Sequence, residues 1–177
     1  TPWRALRLQA DWTRDQRDND TPARSFAYIA TDTAPRPART SVPYGYQRDR
    51  IKAQVDYRLG PEWHAYAGWS RDAVERDYRE VARTEDDQYW LRLKVRLGAL
   101  ADVAVRYAAS DRDATTLREQ PDGVPAQDSL WRRFDVAPRQ RTLTEARIEL
   151  HPASRLDLAV TASRSDDDYR ETSYGLL

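Results

Sequence analysis

Between Arg50 and Arg71 the sequence RIKAQVDYRLGPEWHAYAGWSR alternates between two kinds of side chain. Ile51, Ala53, Val55, Tyr57 and Leu59 alternate with Lys52, Gln54, Asp56 and Arg58. Past Gly60-Pro61, Trp63, Ala65, Ala67 and Trp69 alternate with His64, Tyr66, Gly68 and Ser70. A period of two residues sends successive side chains to opposite faces of an extended chain. Two such runs about a Gly-Pro break predict an antiparallel hairpin with one apolar and one polar face. The apolar face must be covered by a protein core or by lipid, and the rest of the chain bears on which.

The pattern recurs. Leu6, Leu8, Ala10 and Trp12 oppose Arg7, Gln9 and Asp11. Tyr89, Leu91, Leu93, Val95 and Leu97 alternate with Trp90, Arg92, Lys94 and Arg96, and after Gly98-Ala99 come Ala101, Val103, Val105, Tyr107 and Ala109. A last hairpin sets Ala146, Ile148 and Leu150 against Leu156, Leu158, Val160 and Ala162 across His151-Pro152-Ala153-Ser154. The expected strands are 3–12, 46–59, 62–71, 86–97, 100–110, 141–150 and 155–164, in one β-domain covering 1–177. Between them lie a polar run at 13–22, FAYIAT at 26–31 as a short strand in a long loop, and a long polar loop at 110–141. The proline-rich APRPAR at 34–39 is too poor in backbone donors for a central strand. The terminal SDDDYRETSYGLL reads as a loop. In DAVERDYREVARTEDD, Ala73, Val74, Tyr78, Val81 and Ala82 keep loosely to one helical face. A long hairpin is the preferred reading there, because alternation resumes on both sides.

Short turns near residues 60, 99 and 152 alternate with long charged connections. The strands, about nine to eleven residues long, match what a tilted strand needs to cross a bilayer. Short turns at one end and long loops at the other is the outer-membrane barrel arrangement, whereas a soluble sandwich does not require its long loops to gather at one end. Composition agrees. A 33% charged chain with mean hydropathy −0.91 suggests disorder, yet 6 Trp and 10 Tyr are too many for it. A barrel wall with a wet interior needs only one apolar residue in two. Ile51, Val55, Tyr57, Leu91, Leu93, Val95, Val103, Val105, Ile148, Leu158 and Val160 are then expected to face lipid. Trp12, Trp63, Trp69, Tyr89 and Tyr107, near the ends of the apolar stripes, are expected to form the interfacial girdle. The expected fold is all-β: an antiparallel up-and-down meander, a segment of a large transmembrane outer-membrane barrel with short periplasmic turns and long extracellular loops. A porin-like or receptor barrel and a soluble β-rich binding domain are the other readings.

Several function classes drop out. No apolar run of about 18 residues is present, so no transmembrane helix is expected. The opening TPWRALRLQADW is strand-like rather than a signal peptide, as in a mature protein or a fragment. Lys+Arg and Asp+Glu number 29 each, so no net field attracts nucleic acid. Without cysteine there is no disulfide, thiolate site or CxxCH haem attachment. No GxSxG, HExxH or glycine-rich phosphate loop occurs, and no enzyme is expected. Asp15, Asp18 and Asp20, and Asp166 to Asp168, lack EF-hand spacing and are interleaved with arginines, so a solvated loop is preferred to calcium. His64 and His151 sit beside short turns without evident co-ligands, which favours ordinary turn residues over haem or zinc ligands.

The inward set expected from the alternation is Arg50, Lys52, Asp56, Arg58, Arg92, Lys94, Arg96, Arg106, Glu145, Arg147 and Glu149. Any wet barrel interior carries such charges, paired across the ladder.

The run ERDYREVARTEDDQYWLRLKVR followed by VRYAASDRD resembles the outer-membrane barrels that accompany periplasmic multihaem cytochromes, the MtrB/PioB family. So do RTSVPYGYQRDRIKAQVDYRL, FDVAPRQRTLTEARIELHP and SRSDDDYRETSYGLL, so that matching segments run from about residue 24 to the end. The resemblance implies a large barrel that sheathes a decahaem c-type cytochrome and lets electrons cross the outer membrane, often with an extracellular cytochrome docked outside. Haem would belong to the partner, with no cofactor bound by this chain. Among the inward residues, Arg92, Arg96 and Arg106 are the expected partner contacts, since guanidinium engages carboxylates at two points. An odd count of seven expected strands, and a lumen that must hold a cytochrome, imply a segment of a longer protein.

Overall fold

The computed structural model describes residues 5–26, 38–115, 136–153 and 155–170. The described residues form nine strands: β1 (Leu6–Arg17), β2 (Arg24–Phe26), β3 (Arg39–Ser41), β4 (Tyr46–Arg58), β5 (Trp63–Arg76), β6 (Arg83–Leu97), β7 (Ala101–Ala114), β8 (Arg139–Ala153) and β9 (Leu156–Tyr169). The long strands form one sheet in the order β1-β4-β5-β6-β7-β8-β9, every pair antiparallel, and β2 and β3 form a separate small ribbon. Each long strand contacts only its sheet neighbours. This is an up-and-down meander.

The register makes the two faces continuous. Leu6, Tyr57, Ala65, Leu93, Val105, Ala146 and Ala162 form one row across all seven strands. The neighbouring row on the opposite face reads Arg7, Asp56, Tyr66, Arg92, Arg106, Glu145 and Ser163. A slip of one residue in any pair would invert a whole strand. The pairing is pinned at the short-turn end, where Gly98 adopts φ +65, a left-handed conformation that glycine enters without steric cost.

Exposure is inverted relative to a soluble domain. Leu91 is 62% exposed, Val160 64%, Leu8 68% and Trp12 63%, all on the apolar face. The most hindered strand residues, Ala108, Ser110 and Thr84, lie on the polar face, as expected where a sheet is concave. No second layer covers the apolar face among the described residues, and no large side chain there is fully buried. Such a sheet is stable where its outer solvent is hydrocarbon and its backbone groups are satisfied strand to strand.

The strands are longer than their apolar stripes. Thr13–Arg17, expected as part of a polar loop, continues β1 and pairs with Tyr46–Arg50, so Asp15 belongs to a strand. Likewise Ser165–Tyr169, expected as a loop, continues β9 against Arg139–Leu143. β7 extends to Ala114 and β8 begins at Arg139, which shortens the expected 110–141 loop at both ends. In each extension both faces are polar, so the alternation that marks a strand in sequence has disappeared although pairing has not. The 72–87 segment is a hairpin. β5 and β6 extend into it and leave only Asp77–Ala82 as the turn, closed by Arg76 N–H donating to the Ala82 carbonyl at 2.7 Å. In the last hairpin β8 runs through His151 to Ala153 with a register irregularity after Leu150, where a plain turn was expected. Trp3, residues 27–31 of FAYIAT, residues 34–37 of APRPAR and the terminal ETSYGLL lie outside the described residues.

Candidate partner-facing wall

The eleven residues expected to point inward share the polar face. Asp56, Arg92, Arg106 and Glu145 occupy one row, and Arg58, Lys94 and Arg147 lie on the next row toward the short turns, with Arg96 and Glu149 beyond them. Lys52 and Arg50 lie nearer the long connections, opposite Ser70 and Asp72. The eleven expected lipid-facing residues share the other face, with Val95 and Val103 half-buried and the remaining nine exposed. Trp12, Trp69, Tyr89 and Tyr107 stand toward the long-connection end of that face and Trp63 toward the short-turn end.

Beyond the aromatic residues the outer face turns charged. Arg14 Nε bonds Asp49 Oδ1 at 2.8 Å, and Arg71 pairs with Glu85. Trp69 Nε1 donates to Asp87 Oδ1 at 3.1 Å, holding the indole with its polar edge toward the charged rim, as interfacial tryptophans sit. Asp49 is held below the ordinary carboxylate range by hydrogen bonds from Arg14 and then Gln47.

On the inner face the wall divides into three zones. At the long-connection end lies a charge network. Arg48 and Arg50 both bond Asp72, and Arg139 reaches Asp86 at 3.4 Å. Burial pushes Asp72 upward, but the two arginines outweigh it and hold its pKa below the ordinary value. Asp86 lacks that double support, and burial raises it against the pull of Arg139 and Arg112. Buried Arg139 Nε has no hydrogen-bond acceptor, Asp167 lying 3.8 Å away. Over this network the connections turn inward. Arg79 lies over the Tyr44 ring at 4.8 Å, Asp77 N–H donates to the Gly45 carbonyl at 3.1 Å, and Val81 is buried. Tyr44, Gly45, Arg79 and Val81 line, with Asp72, Thr84 and Arg112, an open cleft of about 540 Å³.

The middle zone is aromatic. Trp90 packs against Gly68, where a Cβ would stand 2.4 Å from the indole. Arg106 lies over Trp90 at 5.7 Å and Arg92 over Tyr66 at 5.9 Å. These groups and Lys52 line a recess of about 480 Å³. Trp90 and Tyr66 were not singled out from sequence, because alternation marks them only as inward. The signal available was an aromatic residue at a polar-face position with glycine at its cross-strand neighbour.

At the short-turn end the charges are paired off. Lys94 and Arg96 both reach Asp102, at 3.4 and 3.3 Å, and Arg147 reaches Glu149 at 2.7 Å. His151 lies close to Asp102 and Glu149, the three ligand atoms within 4.8 Å of one another. No co-ligand for His151 is evident in the sequence; the register supplies these two carboxylates, but each already carries a cation, and His151 Nδ1 contacts Asp157 at 2.7 Å. His64 Nδ1 lies 3.9 Å from Asp56. Asp166 to Asp168 lie on a strand and therefore point to alternate faces, so the three cannot converge on one ion. Asp15 instead accepts from the Tyr46 hydroxyl at 3.0 Å.

The family of outer membrane beta-barrel porins MtrB/PioB matches residues 1–177. The chain belongs to the MtrB/PioB family. It is 26% identical over 172 residues to the outer membrane protein MtrB of Shewanella baltica (strain OS185), covering 97% of this chain and 25% of that protein. The chain therefore spans about a quarter of its curated relative's length. Among solved structures it resembles a loop-deletion mutant of OmpT, an outer membrane protein of Vibrio cholerae, with TM-score 0.61 over 93% of this chain and 45% of that one, at 10% identity. That likeness is one of fold: an MtrB/PioB meander superimposes on part of an outer-membrane barrel wall. The location of this MtrB/PioB segment is the outer membrane.

Proposed function

We propose that this chain is a stretch of barrel wall whose concave face holds a periplasmic multihaem c-type cytochrome, a decahaem protein in the family resemblance, for electron transfer across the outer membrane. Haem is the partner's, and this wall supplies shape and charge. The observation that carries the reading is the composition of the polar face in an MtrB/PioB chain: Arg92 and Arg106, which enter no ion pair among the described residues, lie over inward aromatic rings, whereas the charged groups toward either end are largely tied to one another. Arg50, Lys52, Asp56, Arg58, Arg92, Arg106 and Glu145 are the partner-facing residues of this reading; Lys94, Arg96, Arg147 and Glu149 shape the wall through their mutual pairs. The outer edges of β1 and β9 pair with further strands of the complete barrel, because an open sheet edge is not tolerated in hydrocarbon. The wall has no catalytic role.

The test is a pull-down of the full-length parent protein from detergent-solubilised outer membranes, with haem absorbance recorded on the eluate. A stoichiometric c-type spectrum supports the sheath, and a colourless barrel refutes it. A porin-like transport role is the second reading, favoured by the family's description as porins. It predicts an ion conductance in planar bilayers that added cytochrome leaves unchanged.

A further inference from the structure

Arg92 on β6 lies directly opposite Arg106 on β7, both on the concave face. Like charges directly opposite one another destabilise an antiparallel pair. Several other like-charge neighbours on the sheet are compensated: Arg112 faces Arg139, for instance, but Arg112 donates to the Ala137 carbonyl and Arg139 reaches Asp86. Asp72 and Asp86 face each other but are bonded by Arg48, Arg50 and Arg139, and Asp87 and Asp111 are answered by Arg71 and Arg170. Arg92 and Arg106 enter no ion pair among the described residues, while Lys94 and Arg96, on the same strand as Arg92, share Asp102. Glu145 is the ladder neighbour of Arg106, yet the guanidinium lies over the Trp90 ring instead.

Stacking has a consequence for chemistry. A guanidinium laid on an aromatic face keeps its N–H edge free for two-point bonding to a carboxylate. Gly68 makes the arrangement possible, since any side chain there would displace Trp90. The wall thus places two guanidinium groups, with no ion pair among the described residues, side by side in a recess, a local conflict of the kind proteins keep at functional sites.

We propose that Arg92 and Arg106 form a clamp for an acidic side chain on the surface of the protein held against this wall. The proposal rests on the partner-holding reading above and narrows it: the sequence pointed to Arg92, Arg96 and Arg106 together, and the register removes Arg96, which is committed to Asp102.

The experiment uses the full-length parent with its co-purified haem protein, comparing wild type with Arg92→Gln/Arg106→Gln and Arg92→Lys/Arg106→Lys. The barrel is immobilised and the haem protein released by a salt gradient. The glutamine pair should lower the half-release concentration about twofold, and the lysine pair, which keeps charge without the fork, should fall between. Heat stability of the emptied barrel should stay level or rise in the glutamine pair, because a like-charge pair has gone. Unchanged release in the glutamine pair overturns the clamp alone, as does a drop in barrel stability with release unchanged, which would make the arginines structural. A wild-type barrel that carries no haem protein overturns the underlying reading, and the clamp with it.

Discussion

Val55→Arg measures how deep in the membrane the apolar stripe lies. Along β4 and into the turn that follows, the stripe runs Ile51, Ala53, Val55, Tyr57, Leu59, with Val55 at its centre and flanked by Leu8 and Ala67 on neighbouring strands. Four residues separate it from either end of the stripe, about 13 Å along a strand rising about 3.3 Å per residue. At a tilt of about 40° that leaves roughly 10 Å of hydrocarbon on either side. A guanidinium there snorkels only in part, and the cost is about 2–4 kcal/mol. That is roughly a 30- to 700-fold loss in the folded-to-unfolded ratio. Gln54→Arg is the control, one residue away on the opposite face, where Gln9 and Gly68 flank it and water reaches the wall. Its expected cost is within about 0.5 kcal/mol. Guanidinium unfolding of the full-length protein in phospholipid vesicles, followed by tryptophan fluorescence, measures both. Equal tolerance of the two substitutions would refute the assignment of faces.

Two further outcomes follow from the inner wall and the rim. Gly68→Ala forces Trp90 off its seat and should destabilise the barrel by about 1–3 kcal/mol, with much of the loss recovered in Gly68→Ala/Trp90→Leu, read as heat-dependent gel mobility. Asp49 has a lowered pKa in the folded state, so its contribution is present above the unfolded-state value and is lost as pH falls through the folded one. The stability difference between wild type and Asp49→Asn should therefore be fully present at about pH 6 and shrink progressively as pH falls below the ordinary carboxylate value of about 3.9.

Much of the fold was legible because one face of every strand had to be apolar. Leu91 between Trp90 and Arg92, or Val103 between Asp102 and Ala104, carries its orientation in its neighbours. The strand ends were not legible. At Arg14 and Asp168 neither face meets lipid or a core, so pairing continues with no pattern to record it. The site was partly legible. Arg92, Arg96 and Arg106 are equivalent by alternation, and only the register separates them. That register follows from the three-residue turn at Gly98–Leu100, which sets Leu97 against Ala101 and hence Arg96 against Asp102 and Arg92 against Arg106. The inward fold of the Asp77–Ala82 turn was not foreseeable. It depends on contacts between Arg79 and Tyr44 and between Asp77 and Gly45, far apart in sequence.

The most direct test of the account is a spin-label scan along β4. The chain has no cysteine, so single cysteines at positions 51 to 58 of a full-length parent that likewise lacks them can each be labelled without background. In lipid, labels at 51, 53, 55 and 57 should be relaxed by dissolved oxygen, and those at 52, 54, 56 and 58 by a water-soluble nickel complex. Alternation with that phase places the apolar face on lipid and the arginine-bearing face on the lumen. Uniform accessibility, or the reverse phase, would contradict the account.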